Sequence, residues 1–467
     1  MNTKVKHKSK KKSKRKSAKH QKQIERQFRN QKNKDEFLTI AYEIVKIIKH
    51  HFPDILEKLK AVPDPRQGRH YKIEEIVFAG VAVFLFKFGS RNAMENHSNK
   101  KIFKSNYEKA FGHRLPKPDT VATVFKAMSP IELENLKESL VKELIERKVF
   151  DKKRIDGKII VAVDGTGIVT FDSQHCDQCL EKTSKKTGKK TYFHNVLEAK
   201  IVTNNGFSVS LCTEWVENPG VEYKKQDCEL KAFTRLAVKL KKAFPRLNIC
   251  LCADGLYPNK TFFNKCKEYG WSYIVTLKDG NLKNFWKKVQ KAKKQFDENA
   301  FHEGQTYIEQ HFQWTNNIYF NGFLHSWIEL EEEKVSLQDI YQYDRFVYIT
   351  NITITKDNAR LICQTGRLRW KIEKQGFDQQ KNHGYKICHK YCRKSYTGLK
   401  NYYQCCQIAH MINQLLELSK NFQAILTQKT TIAFIWFCIK AFMTFGNVDS
   451  SIINTIMTHR YQIQYIE

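Results

Sequence analysis

Three acidic residues stand where they could act together as metal ligands. Asp164 closes the apolar run in IIVAVDGTG (residues 159–167), Asp254 closes another in NICLCADGLYP, and Glu373 lies in GRLRWKIEKQGF. An unbroken Val/Ile/Ala run suits a strand buried on both faces. A carboxylate ending such a strand is costly unless a cation meets it. A lone Asp-Gly pair reads equally well as a turn. Two such strand ends side by side, with a glutamate on a helix packed over them, would instead gather hard oxygen ligands suited to Mg²⁺ or Mn²⁺. Two ions held in this way can activate an attacking oxygen and stabilise a leaving one in phosphodiester chemistry. Arg369 precedes Glu373 by four residues and shares its helix face. It could hold the glutamate or a phosphate, and an ordinary helical ion pair is the plainer reading.

A second group of ligand types lies just after the first strand. QHCDQC supplies His175, Cys176 and Cys179, and His194 follows in YFHN. A Cys-x2-Cys with a histidine at that distance can build a zinc site, and Cys228 is a further ligand candidate. KTSKKTGKK lies between these residues, so a metal there would staple a basic loop. Free buried thiols account for the same cysteines without metal. The cysteines of CHKYC (residues 388–392) and CCQIAH (residues 405–410) read as core residues.

The elements that would position these groups change character along the chain. Residues 1–35 hold 15 Lys and Arg against 2 Asp and Glu with almost no apolar residues, a composition expected to be disordered. From 36 to 154 the apolar spacing is helical, and Ser129 with Glu132 suggests a capping box. This part is expected to form an all-helical N-terminal domain for DNA binding or dimerisation. From 155 to 280 three hairpin strands give way to alternating helix and strand, which describes a mixed α/β core. Residues 281–343 break that rhythm and read as a β-rich insertion. The core resumes over 344–420 with a strand, one long helix through Glu373 and an apolar helix; a helical region, 421–467, ends the chain.

The formal net charge of +33 on 467 residues exceeds what solubility needs and points to a polyanion such as nucleic acid. The longest uncharged apolar run near the N-terminus, residues 76–86, is 11 residues, against roughly 20 for a membrane span. No span and no signal peptide are therefore expected. Thirteen cysteines without a secretory signal point to reduced thiols in a cytosolic compartment.

VAVDGTG, ADGLYP and GRLRWKIEKQGFDQQKNHGY, in this order and on these elements, resemble the DDE transposases of bacterial insertion sequences. The branch suggested carries its third acid in a Tyr-Arg-Glu-Lys helix signature, with a β-rich insertion before that helix. DPRQGRHY and KPDTVATVF extend the likeness, which runs over about residues 64–420. The resemblance implies a ribonuclease-H-like catalytic core. It implies that Asp164, Asp254 and Glu373 bind Mg²⁺ (or Mn²⁺), two ions in all, and that Arg369 orients substrate or a nearby phosphate. The chain departs from the signature at its Tyr position, occupied by Gly366, and at its Lys position, occupied by Gln380 with Lys381 one residue beyond. The resemblance further implies cleavage at element ends, strand transfer to target DNA, a homodimer on double-stranded DNA and a bacterial, nucleoid-associated location. Insertion aromatics such as Trp314 and Trp327 would stack on a displaced base or fill a strand core. A nuclease without strand transfer, or a non-catalytic DNA-binding descendant of a transposase, are the alternatives.

Overall fold

The computed structural model describes residues 40–466, apart from 69, 221, 337–339 and 428–429; the basic stretch 1–35 lies outside the described residues. Ten strands form one sheet: β1 (Ile159–Phe171), β2 (Leu180–Thr183), β3 (Lys190–Val202), β4 (Ser208–Val216), β5 (Ile249–Ala253), β6 (Ser272–Thr276), β7 (Gln295–Glu303), β8 (Thr306–Phe320), β9 (Phe323–Ser336) and β10 (Tyr341–Thr350). β3 carries antiparallel β1 on one edge, and on the other it pairs with β2 and then β4 along successive halves of its length. β5 lies parallel to β1 and β6 parallel to β5. β10 then adds antiparallel to β6, and β9, β8 and β7 follow outward.

The apolar run of β1 is buried on both faces, as its composition requires. Val161 and Val163 enter the larger core, beside the helices Glu229–Ala243 and Lys260–Tyr269. Ile160 and Ala162 enter a second core with Cys250 and Cys252 of β5 and with Ile362, Ile372 and Phe377. Strand side chains alternate between faces, so Asp164 and Asp254 follow the parity of that second core. This is the face on which the Glu373 segment packs.

Three sequence expectations need correction. β1 does not turn at Asp164-Gly165; it runs on to Phe171 because β3 stays paired with it through Tyr192. What ends there is its pairing with β5, whose last matched pair is Val163 with Ala253. The long helix through Glu373 is interrupted: a helix Lys356–Arg367 tightens at Leu368 and Arg369 through i→i−3 bonds, then widens into a π-helical stretch, Ile372–Asp378. Ser129 caps the helix Pro130–Glu146 without a side-chain bond; Pro130 at the first position already removes one of the donors that a cap would satisfy. Within 281–343, β7, β8 and β9 extend the core sheet outward from β10. β8 and β9 join through Asn321-Gly322, both at positive φ, the geometry of a tight hairpin turn.

The helix Tyr396–Glu417 is buried along almost its whole length. It packs against the helices Ile73–Leu85, Pro118–Ala127 and Pro130–Glu146, so the N-terminal helices and the sheet share one continuous core. The helices Ile432–Phe445 and Ser450–Thr458 return to pack on Lys101–Phe111. Among the described residues no single helix is long and apolar enough to cross a membrane.

Candidate active site

Beyond Val163 and Ala253 the parallel strands part, and Asp164 and Asp254 are the next residue on each. Neighbouring strands lie about 4.8 Å apart, so the two acids flank the mouth of one cleft. Asp164 is half-buried, with Oδ1 accepting from the Gly165 N–H at 2.9 Å. Asp254 Oδ1 accepts from the Leu256 N–H at 2.9 Å, and its Oδ2 lies 3.9 Å from the Lys278 ammonium.

Glu373 comes over this cleft from the π-helical stretch. Arg369 Nη1 donates to Glu373 Oε1 at 2.6 Å and lies 3.6 Å from Asp164 Oδ2. One guanidinium nitrogen thus reaches both carboxylates, which cannot be farther apart than those two contacts laid end to end. Arg369 is itself 7 % exposed and stacks over the half-exposed Trp370 ring.

A fourth acid, which the sequence reading missed, approaches from the opposite face. Glu229, the first residue of Glu229–Ala243, accepts a 2.6 Å bond from the buried Tyr257 hydroxyl. A Cβ at Gly165 would lie 2.6 Å from Glu229 Oε2. The first glycine of VDGTG is therefore a site of close approach, the use glycine serves when no Cβ fits. Tyr257 belongs to the same ADGLYP run as Asp254, and that tyrosine was the available clue to a buried acceptor nearby.

The electrostatics follow from this crowding. Burial pushes the Asp164 carboxyl up to about 7; Arg369 opposes the rise, and Glu373 and Glu229 add to it. Burial likewise raises Glu229, with the Tyr257 bond opposing and Asp254 adding to the shift. Self-repelling carboxylates, two of them held by one arginine, are the donor chemistry that a hard divalent cation relieves.

The two departures from the helix signature have local causes. A Cβ at Gly366 would lie 2.5 Å from the Tyr348 ring, so β10 already fills the space a side chain would need. Gln380 is wholly buried and exchanges bonds with Gln407, which also accepts from the buried Lys200 ammonium. This position anchors the segment to β3 and to Tyr396–Glu417. Lys381 is half-buried; burial pushes the Cys388 thiol up and Lys381 opposes it, and that thiol faces the Gly167 carbonyl at 3.8 Å.

The remaining candidates separate cleanly. Cys176, Cys179 and His194 come together, each offering a ligand atom within 4.8 Å of the others. Cys228 lies outside that group: it is exposed, at the N-cap of Glu229–Ala243. Trp314 and Trp327 are 2 % and 1 % exposed, so they fill the strand core and offer no face to a base. Cys405, Cys406 and His410 are core residues of Tyr396–Glu417.

A model of the family described as "Transposase DDE domain" matches residues 155–396, just over half of the chain. That span begins just before β1, ends at Tyr396 and contains Asp164, Asp254, Glu229, Arg369 and Glu373. A search of the curated proteins found no match.

Proposed function

Because this chain belongs to the transposase DDE-domain family, we propose that it cuts DNA at the ends of a bacterial insertion sequence and joins the freed 3′-OH to target DNA. The reading rests on one observation above all: Arg369 bridges Asp164 and Glu373, and Asp254 follows Ala253, the β5 partner of the residue before Asp164. The sheet order β4-β3-β1-β5-β6, antiparallel on one side of β1 and parallel on the other, is compatible with a ribonuclease-H-like core and supports that reading. We assign that core to residues 155–280 and 344–420, with 281–343 as its insertion and 36–154 as the helical part serving DNA binding or dimerisation.

Asp164, Asp254 and Glu373 would hold divalent metal, Mg²⁺ or Mn²⁺, and their oxygen-only chemistry and crowded negative charge fit that group. When bound, such ions supply Lewis-acid activation of the attacking oxygen and stabilisation of the leaving one. The chain's own residues do the rest. Arg369 sits where it can pass from the carboxylate pair to a DNA phosphate, a bidentate partner of similar geometry. Lys278, beside Asp254, and Lys381, beside Cys388, would serve as point charges for the backbone. Glu229 and Tyr257 brace the floor of the cleft from the opposite face. The net charge of +33 supplies the salt-dependent attraction to DNA, and a homodimer would pair two element ends.

The test is cleavage of a linear DNA carrying the element ends, in Mg²⁺, with joining scored on a second plasmid. Asp254→Asn is expected to bind this DNA as the parent does and to cut none. Parent and variant cutting alike would remove the active site from this cleft. Cutting without joined products would reduce the activity to that of a nuclease.

A further inference from the structure

We propose that Cys176, Cys179 and His194 bind one structural Zn²⁺, which clamps the β1–β2 connection onto β3 and holds a lysine-rich hairpin tip in place. The geometry carries this assignment. The two sulfurs lie 3.6 Å apart, and His194 Nε2 lies 3.4 Å from each. For a tetrahedral ion with Zn–S of about 2.3 Å and Zn–N of about 2.0–2.1 Å, the ligand edges are about 3.8 Å between sulfurs and about 3.5 Å between sulfur and nitrogen. The three atoms therefore already form nearly one face of that tetrahedron.

The environment agrees. His194 is 1 % exposed and Cys179 4 %. The only hydrogen-bond partners of the His194 ring among the described residues are the two thiols, which are weak donors; its Nδ1 has none. A buried imidazole so poorly served is unusual in a folded protein, and a cation at Nε2 supplies what the thiols do not. The ring is also fixed in place, stacked on Tyr396 at 3.8 Å between centroids and 14° between planes. The fourth position belongs to a ligand outside the trio, since among the described residues no further His, Cys, Asp or Glu joins that group.

The placement gives the ion a task. His194 pairs with Val169 of β1, and the next residue outward, Phe193, pairs with Leu180 of β2. An ion joining His194 to Cys176 and Cys179 ties the connection 172–179 to the strand it must follow. The β2–β3 turn beyond it exposes Lys182, Lys185, Lys186, Lys189 and Lys190. β2 is a four-residue edge strand whose outer side is met by the Gln226 amide at Glu181 and whose approach is met by Asn218 at Gln178 and Cys179; the ion adds the tie to β3. That the lysines then meet DNA phosphates rests on the transposase reading; the metal site does not.

The experiment uses the untagged full chain, purified under reducing conditions, with metal content measured by mass spectrometry. About one zinc per chain is expected. Cys176→Ser and Cys179→Ser should each lose it, and Cys228→Ser should keep it. Should the cysteine variants fail to fold, the metal-stripped parent titrated with Co²⁺ gives the second reading: the intense visible bands and thiolate charge transfer of a tetrahedral site, saturating at one equivalent. Limited proteolysis should cut residues 172–190 faster after zinc removal, with no loss of helix signal. A parent that takes up neither zinc nor tetrahedral cobalt overturns the proposal, as does an intact mass two hydrogens short, which marks a Cys176–Cys179 disulfide. Metal content is read without DNA, so it fails or stands apart from any failure of DNA cleavage.

Discussion

The β1–β3 ribbon carries two polar clusters of opposite construction. At the cleft, Arg369 bridges Asp164 and Glu373 while Asp254 pairs with Lys278 and Glu229 with Tyr257, and burial raises Asp164 to about 7. Their partners come from β1, β5, the turn into Glu229–Ala243 and the π-helical stretch, separated by as much as 209 residues. At the other cluster, two thiols and an imidazole from within 19 residues lie at contact distance, Cys179 and His194 buried and Cys176 half-buried. The first arrangement repels itself and is held by distant packing; the second is neutral, local and compact. Charge that the fold must force together is the signature of a working site, whereas a small soft cluster that stiffens a loop is the signature of a staple.

The strongest way to break this contrast is Asp164→Asn. Cleavage is expected to fall by about 10³-fold, about 4 kcal/mol of transition-state stabilisation, while zinc content stays unchanged. The same variant reports on the repulsion. Asp164 has its folded pKa raised, so the native state binds more protons than the unfolded chain between the ordinary carboxyl value of 3.8 and about 7. Metal-free stability must therefore fall as pH rises through that window. Chemical denaturation in EDTA should show this fall in the parent and a flatter profile in Asp164→Asn.

Gly165→Ala tests how closely the two faces meet. Its Cβ would displace the Glu229 carboxylate or push β1 aside, and a shift of about 1 Å at a reacting centre can cost about 10²-fold. Single-turnover cleavage should show that loss with DNA binding intact. Glu229→Gln keeps an acceptor for Tyr257 and removes one charge, so the change in rate should be no more than about tenfold. An effect as large as that of Asp164→Asn would make Glu229 a ligand in its own right. Cys228→Ser is expected to do least: stability within about 0.5 kcal/mol of the parent by denaturant titration, with cleavage and zinc unaltered.

Much of the cleft was legible because its residues sit in patterns with few readings. Two apolar runs each ending in Asp-Gly, and an Arg-x3-Glu in a helix, point to a sheet edge with an acid over it. Glu229 was not legible. An acid in the first turn of a helix is ordinary, and only the three-dimensional approach to Gly165 distinguishes it. The strand patterns of 281–343 were legible, but nothing in a sequence says which edge a strand joins. Trp314 and Trp327 offered two readings because an aromatic on a strand serves a core or a base equally, and burial decides between them.

The amino-acid sequence by itself determined which chemistries were on offer. It set hard carboxylates on apolar strands, a Cys-x2-Cys with a histidine nearby, and a net charge of +33 that calls for a polyanion. These are properties of residue type and spacing, and no folding alters them. The tertiary structure decided which groups meet. It brought Arg369 between Asp164 and Glu373, admitted Glu229 through the gap left by Gly165, and left Cys228 outside the thiol cluster. The reason is physical: side chains far apart in the chain become neighbours only through the packing of the elements that carry them. That packing depends on the whole core at once.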